Sequence, residues 1–144
     1  MNRDPTSVAA RALQHYADVS CRTISSGIRT IDCDVTETPA TVLVVLGTEE
    51  PTFPELDWVL TWDEVNGWAS RIRTSEAGET VCLSYLGGRI LPAPADVGRY
   101  VHDIAHGQHP GQLLPPVFRA PDAPDELEHE LSIGAWDKRF TPPE

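Results

Sequence analysis

The chain has 144 residues, 40% of them apolar, a formal net charge of −11 and a pI near 4.7. That suits one domain with a real core plus extensions. The acidity argues against a generic binder of nucleic acid or anionic membrane, because both need a basic surface to displace counterions.

Three cysteines, Cys21, Cys33 and Cys82, form no C-x-x-C pair. An odd number at wide spacing points to reduced, partly buried thiols rather than a disulfide framework or a metal site. The first twenty residues lack an apolar signal core, and no apolar run reaches spanning length. The expected location is the cytoplasm.

Asp4-Pro5 reads as the start of the first helix, with Asp4 as N-cap and Pro5 where a missing N–H is harmless. Ala9, Leu13, Tyr16 and Ala17 form its apolar stripe. Tyr16 is expected to be a core residue with its hydroxyl at the rim. Gly27 to Val35 predicts a first strand, with Ile31, Cys33 and Val35 on one face and Thr30, Asp32 and Asp34 on the other. The alternating acids have no third oxygen ligand at a useful spacing, so a solvated strand face is the simpler reading. Thr41 to Leu46, TVLVVL, is continuously apolar and predicts a central strand covered on both faces. An acidic loop with Glu49, Glu50 and Glu55 follows.

Leu56 to Arg73, LDWVLTWDEVNGWASRIR, carries three of the four tryptophans and predicts a β-hairpin. Asn66-Gly67 supplies the turn, since Gly accepts a positive φ without strain. Placing Trp62 opposite Trp68 puts Trp58, Leu60, Trp62, Trp68 and Ile72 on one face. Val59, Thr61, Ala69, Arg71 and Arg73 then take the other. A one-residue slip would mix the arginines among the tryptophans, so this register is preferred. Thr80 to Leu86 predicts a fifth strand, with Val81, Leu83 and Tyr85 sharing a face.

Gly87-Gly88 lacks the pattern of a phosphate loop and reads as a turn. Ala95-Asp96 opens a second helix whose stripe is Val97, Tyr100, Val101 and Ile104, ending at Gly107. His102, His106 and His109 lie off that stripe, and without H-E-x-x-H they read as solvated rather than metal-binding. Beyond Gln108 the composition changes, with seven of the thirteen prolines between Pro110 and Pro143. Only Asp125 to Leu131 has the pattern of a short helix there.

WDEVNGWA at Trp62–Ala69, SYLGGRILPAP at Ser84–Pro94 and the helix VGRYVHDIAHG together resemble the actinobacterial family known as domain of unknown function 6292. The resemblance covers roughly Thr30 to Gly107. Its motifs are structural, and it implies no activity, cofactor or catalytic residue.

The expected fold is α+β. It is a two-layer sandwich, an antiparallel five-stranded sheet with an N-terminal and a C-terminal helix on one face, plus an irregular Pro-rich tail. The domain is expected to span residues 1–107 and the acidic tail 108–144. The tail is expected to anchor through Leu127, Leu131, Trp136 and Phe140 to its own domain or to a second subunit.

No catalytic constellation and no cofactor site can be assembled from the spacing. The leading functional expectation is a non-catalytic protein-binding or adaptor module, a homodimer being one form of it. It would use an uncovered sheet face or an edge strand, motivated by a small sheet with surplus tryptophan and no reaction centre; an exposed aromatic patch would favour a protein interface. The alternative is a small-molecule or anion-binding module, or a minor enzyme, using Arg71, Arg73 and Arg89. Two arginines on one strand face can grip a carboxylate or phosphate bidentately. The simpler reading is that they pair with acids from neighbouring strands.

Overall fold

The computed structural model describes residues 1–25 and 27–137. Helix α1 (Val8–Arg22) leads into strands β1 (Ile28–Asp34), β2 (Thr41–Leu46), β3 (Trp58–Asp63), β4 (Gly67–Arg73) and β5 (Thr80–Tyr85). Helices α2 (Pro94–Ala105) and α3 (Leu127–Ile133) follow. The strands form one antiparallel meander in sequence order, β1-β2-β3-β4-β5. The fold is therefore the expected α+β sandwich, with a third short helix.

The tryptophan hairpin has the register that its patterning demands. Trp62 lies opposite Trp68 and Trp58 opposite Ile72. Trp58, Leu60, Trp62 and Trp68 join Val42, Val44 and Leu46 beneath Leu13, Tyr16 and Ala17 of α1 and Val97, Tyr100 and Val101 of α2. Each of these three indoles finds an acceptor, as a buried N–H must. Trp58 Nε1 donates to Ser70 Oγ (2.8 Å), Trp62 Nε1 to the Ile90 carbonyl (2.8 Å) and Trp68 Nε1 to the Tyr16 hydroxyl (3.0 Å).

Several local expectations need correction. Helix α1 starts at Val8, not at Pro5. Ser7 is its N-cap and accepts from Ala10 N (3.1 Å), while Asp4 is occupied in a turn with Thr6 (2.8 Å). The Tyr16 hydroxyl is not at a rim. The residue is fully buried, its hydroxyl donates to the Pro92 carbonyl (2.8 Å), and burial pushes its pKa up. Strand β2 is internal, but its Thr41 end is exposed and Leu43 is only half-buried, because the helices cover one face of the sheet. In β5 a register shift opposite Ser70/Arg71 breaks the alternation. Val81 pairs with Ile72 on the helix side and Tyr85 with Ala69 on the open side, so they do not share a face.

The residues after Gly107 share the core. Leu127 and Leu131 of α3 and Trp136 are buried in the same cluster as Leu13 and Tyr16. The Trp136 ring meets Tyr16 edge-on, with centroids 5.0 Å apart. Phe140 lies outside the described residues.

Candidate functional site

The tail is fastened to the sheet at two anchors, the end of edge strand β5 and the β3–β4 turn. At the first, Gln112 forms a two-bond antiparallel bridge with Tyr85, both N···O distances being 2.8 Å. Gly111 makes this approach feasible. Its φ is +86°, and a side chain there would run into the Tyr85 carbonyl oxygen. At the second, Asn66 Nδ2 donates to the Pro116 carbonyl (2.6 Å), Phe118 N donates to the Val65 carbonyl (2.9 Å), and the Phe118 ring lies over Gly67.

Immediately after Phe118 sits a buried charge network. Glu64, in the turn of the tryptophan hairpin, is 1% exposed. Its Oε2 accepts from Ala40 N (2.7 Å), and its Oε1 accepts from Asp122 N (2.7 Å) and Arg119 Nη1 (2.8 Å). Arg119 also pairs with Asp125 (2.6 Å), and the Met1 ammonium reaches both Glu64 (3.5 Å) and Asp122. Burial alone would raise the Glu64 pKa. The N–H groups of Asp122 and Ala40, with the ammonium and Arg119, outweigh it and hold the carboxyl below its ordinary range. Asp125 is likewise lowered, chiefly by Arg119.

Between the two anchors the strap turns apolar side chains outward. Leu113, Leu114 and Val117 are 82%, 78% and 73% exposed. Beside the strap, on the helix side of the sheet, opens a groove of about 480 Å3. Its walls include Phe53, Leu83, Ile104 and the strap residues 108–113; Ser70, Ser84 and Glu50 also line it. Ser70 is fully buried, and Ser84 Oγ is hydrogen-bonded to the Tyr100 hydroxyl. Burial pushes the Tyr100 pKa up to about 12.

The sequence-predicted residues fall elsewhere. Arg71 and Arg73 lie on the open face of the sheet. Arg71 Nε donates to Thr61 Oγ1 (3.1 Å), and its guanidinium stands 6.0 Å from the Tyr85 ring centroid. Arg73 pairs with Asp57 (3.4 Å), which also takes Arg29 (3.4 Å). The hollow beside Arg71 contains Asp32, Asp34 and Asp63. Arg89 is exposed in the connection to α2, apart from both. Leu127, Leu131 and Trp136 pack against their own chain. All four tryptophans are at most 5% exposed, so they form no surface patch. Among the described residues, Leu113, Leu114 and Val117 are the most exposed large apolar side chains and lie within five positions of one another, in a proline-rich stretch whose composition does not single them out.

His102 and His106 stack with centroids 4.1 Å apart, and His106 Nδ1 lies 2.8 Å from the His102 carbonyl oxygen. Among the described residues, no three His, Cys, Asp or Glu side chains are arranged to hold a metal ion. Cys21 and Cys33 are pushed up to about 12 by burial, which keeps both thiols protonated at neutral pH. Among the described residues, no helix is long and apolar enough to cross a membrane.

No curated protein and no solved structure shows significant similarity to the chain. A family model described as a family of unknown function, DUF6292, matches residues 16–103, from the middle of α1 to the end of α2. The match takes in the whole sheet, the second half of α1 and nearly all of α2, and the chain belongs to that family.

Proposed function

We propose that the protein is a non-catalytic protein-binding or adaptor module of the cytoplasm, and that the strap Leu113–Val117 is what it presents. One observation carries the reading. Three large apolar side chains within five residues are 73–82% exposed, on a segment fastened at both ends by hydrogen bonds. Exposed apolar side chains scattered singly mean little; grouped on a held segment they mark an interface. Pro115 and Pro116 fix two φ angles, so the strap has little conformational freedom left to lose on binding. The matching partner offers an apolar, aromatic-lined groove of the kind that takes extended proline-containing segments. The unpaired cysteines agree with a reducing compartment.

An anion-binding role for Arg71, Arg73 and Arg89 has less support. Acids line the same hollows as the first two, and the third stands away from them.

The test compares the proteins retained from native cells by the wild type, by Leu114→Asp with Val117→Asp, and by Val8→Asp. Val8 is a control, 70% exposed on α1. A partner lost with the strap variant alone, and binding again as a purified protein to the wild type, is the expected result. Identical retention by all three would remove the strap from the interface. A molar mass from sedimentation that the strap variant leaves unchanged would show that any self-association uses another surface.

A further inference from the structure

We propose that the groove beside β5 binds a small organic amine, an apolar body carrying one ammonium group. The groove, at about 480 Å3, falls in the range of small-molecule sites. Phe53, Leu83, Ile104 and Leu113 offer apolar contact, and no lysine or arginine lines it. Its one carboxylate is Glu50, 6% exposed. Glu50 Oε2 accepts from Thr52 N (2.9 Å) and Phe53 N (3.1 Å), which fixes the carboxylate at the groove wall. Those bonds leave Oε1 for a ligand. Among the described residues, no cation lies within ion-pair distance of Glu50.

A carboxylate removed from water is normally matched by a cation or by a full set of donors. Glu64, at the other end of the sheet, has such a set. Glu50 has half of one. An ammonium entering the groove would complete it, whereas a carboxylate or phosphate would be repelled by Glu50 and find only the His109 imidazole, with no arginine or lysine, in return. The half-buried Ser84 hydroxyl, hydrogen-bonded to Tyr100, adds a polar contact for a further N–H group. The groove shares Leu113 with the strap, but a titration with a small amine needs no protein partner, so either reading can fail without the other.

The experiment titrates the full-length protein with phenethylamine, phenethyl alcohol and phenylacetate, which share one apolar body. Backbone amide chemical shifts report the site. Saturable shifts at Thr52, Phe53, Ser84 and Gln112 are expected with the amine, at an affinity about tenfold above the alcohol. Phenylacetate should leave these amides unmoved. Glu50→Gln keeps an oxygen for Thr52 and Phe53 and should bring amine and alcohol to equal affinity. Leu83→Trp fills the groove and should abolish binding of both. Equal binding of amine and alcohol by the wild type, shifts centred elsewhere, or no saturable response to the amine would each overturn the proposal. These readouts use the wild type, so they stand even if a variant fails to fold.

Discussion

Residues 112–117 and 118–136 are neighbours in sequence and opposites in packing. The first group carries Leu113, Leu114 and Val117 into solvent. The second buries Arg119 against Glu64 and sinks Leu127, Leu131 and Trp136 into the main core. Proline is frequent in both, so proline content does not decide which part packs. What decides is the partner already waiting on the domain. Glu64 needs a cation, and the face of α1 bearing Tyr16 needs cover. Nothing in the described structure asks for Leu114.

The largest effect should come from a chain ending at Gly107. It loses Arg119, Leu127, Leu131 and Trp136 together, and chemical denaturation should register more than any single substitution does. A truncated chain as stable as the full one would make residues 1–107 an autonomous unit and sever the second group from the core. Trp62→Ala sets the scale for complete burial and should destabilise by about 3–5 kcal/mol. A loss below about 1 kcal/mol would contradict its place in the core.

Glu64→Ala leaves Arg119 buried with one carboxylate partner fewer, and a loss of about 3–5 kcal/mol is expected. Glu64→Gln should do less harm, since the amide oxygen can still accept from backbone N–H groups. If Glu64→Ala and Leu114→Ser proved equally mild, the contrast between the two stretches would collapse.

Acid should act on the same network. Glu64, Asp122 and Asp125 all have carboxyl pKa values lowered in the folded state. The unfolded chain therefore takes up protons first, and the stabilisation present at neutral pH is lost as pH falls below about 4 and through the depressed folded values. Denaturation midpoints measured from neutral pH downward should decline over that window, and less so in Glu64→Gln. Leu114→Ser is the smallest effect, expected within about 0.5 kcal/mol of the wild type because its side chain leaves little packing behind. Its consequence should appear in partner binding alone.

Much of this architecture was legible in the sequence. The hairpin register follows from Trp58, Leu60 and Trp62 alternating with polar residues, because only one pairing keeps Arg71 and Arg73 out of the core. The α2 stripe was equally plain. Strand β5 was misread because the irregularity opposite Ser70/Arg71 leaves no local mark. Glu64 falls in the loop of the tryptophan hairpin, where a polar residue is ordinary. Its burial depends on Arg119 and Asp122, 55 and 58 positions away, and no local pattern encodes such a distance. The groove was invisible for the same reason. Glu50, Ser70, Leu83, Ile104 and Gln112 come from five separate segments, each unremarkable alone.

The span between Glu64 and Arg119 also has a consequence in time. The meander pairs each strand with its sequence neighbour, so the sheet can assemble as the chain leaves the ribosome. The Glu64 carboxylate must wait for a further 55 residues before its guanidinium exists. Throughout that interval the tip of the tryptophan hairpin has to stay hydrated, and the face of Tyr16 that Trp136 later covers stays open. The newborn domain is thus at its stickiest after the sheet has formed and before the tail arrives, which is the moment at which a chaperone would find most to hold.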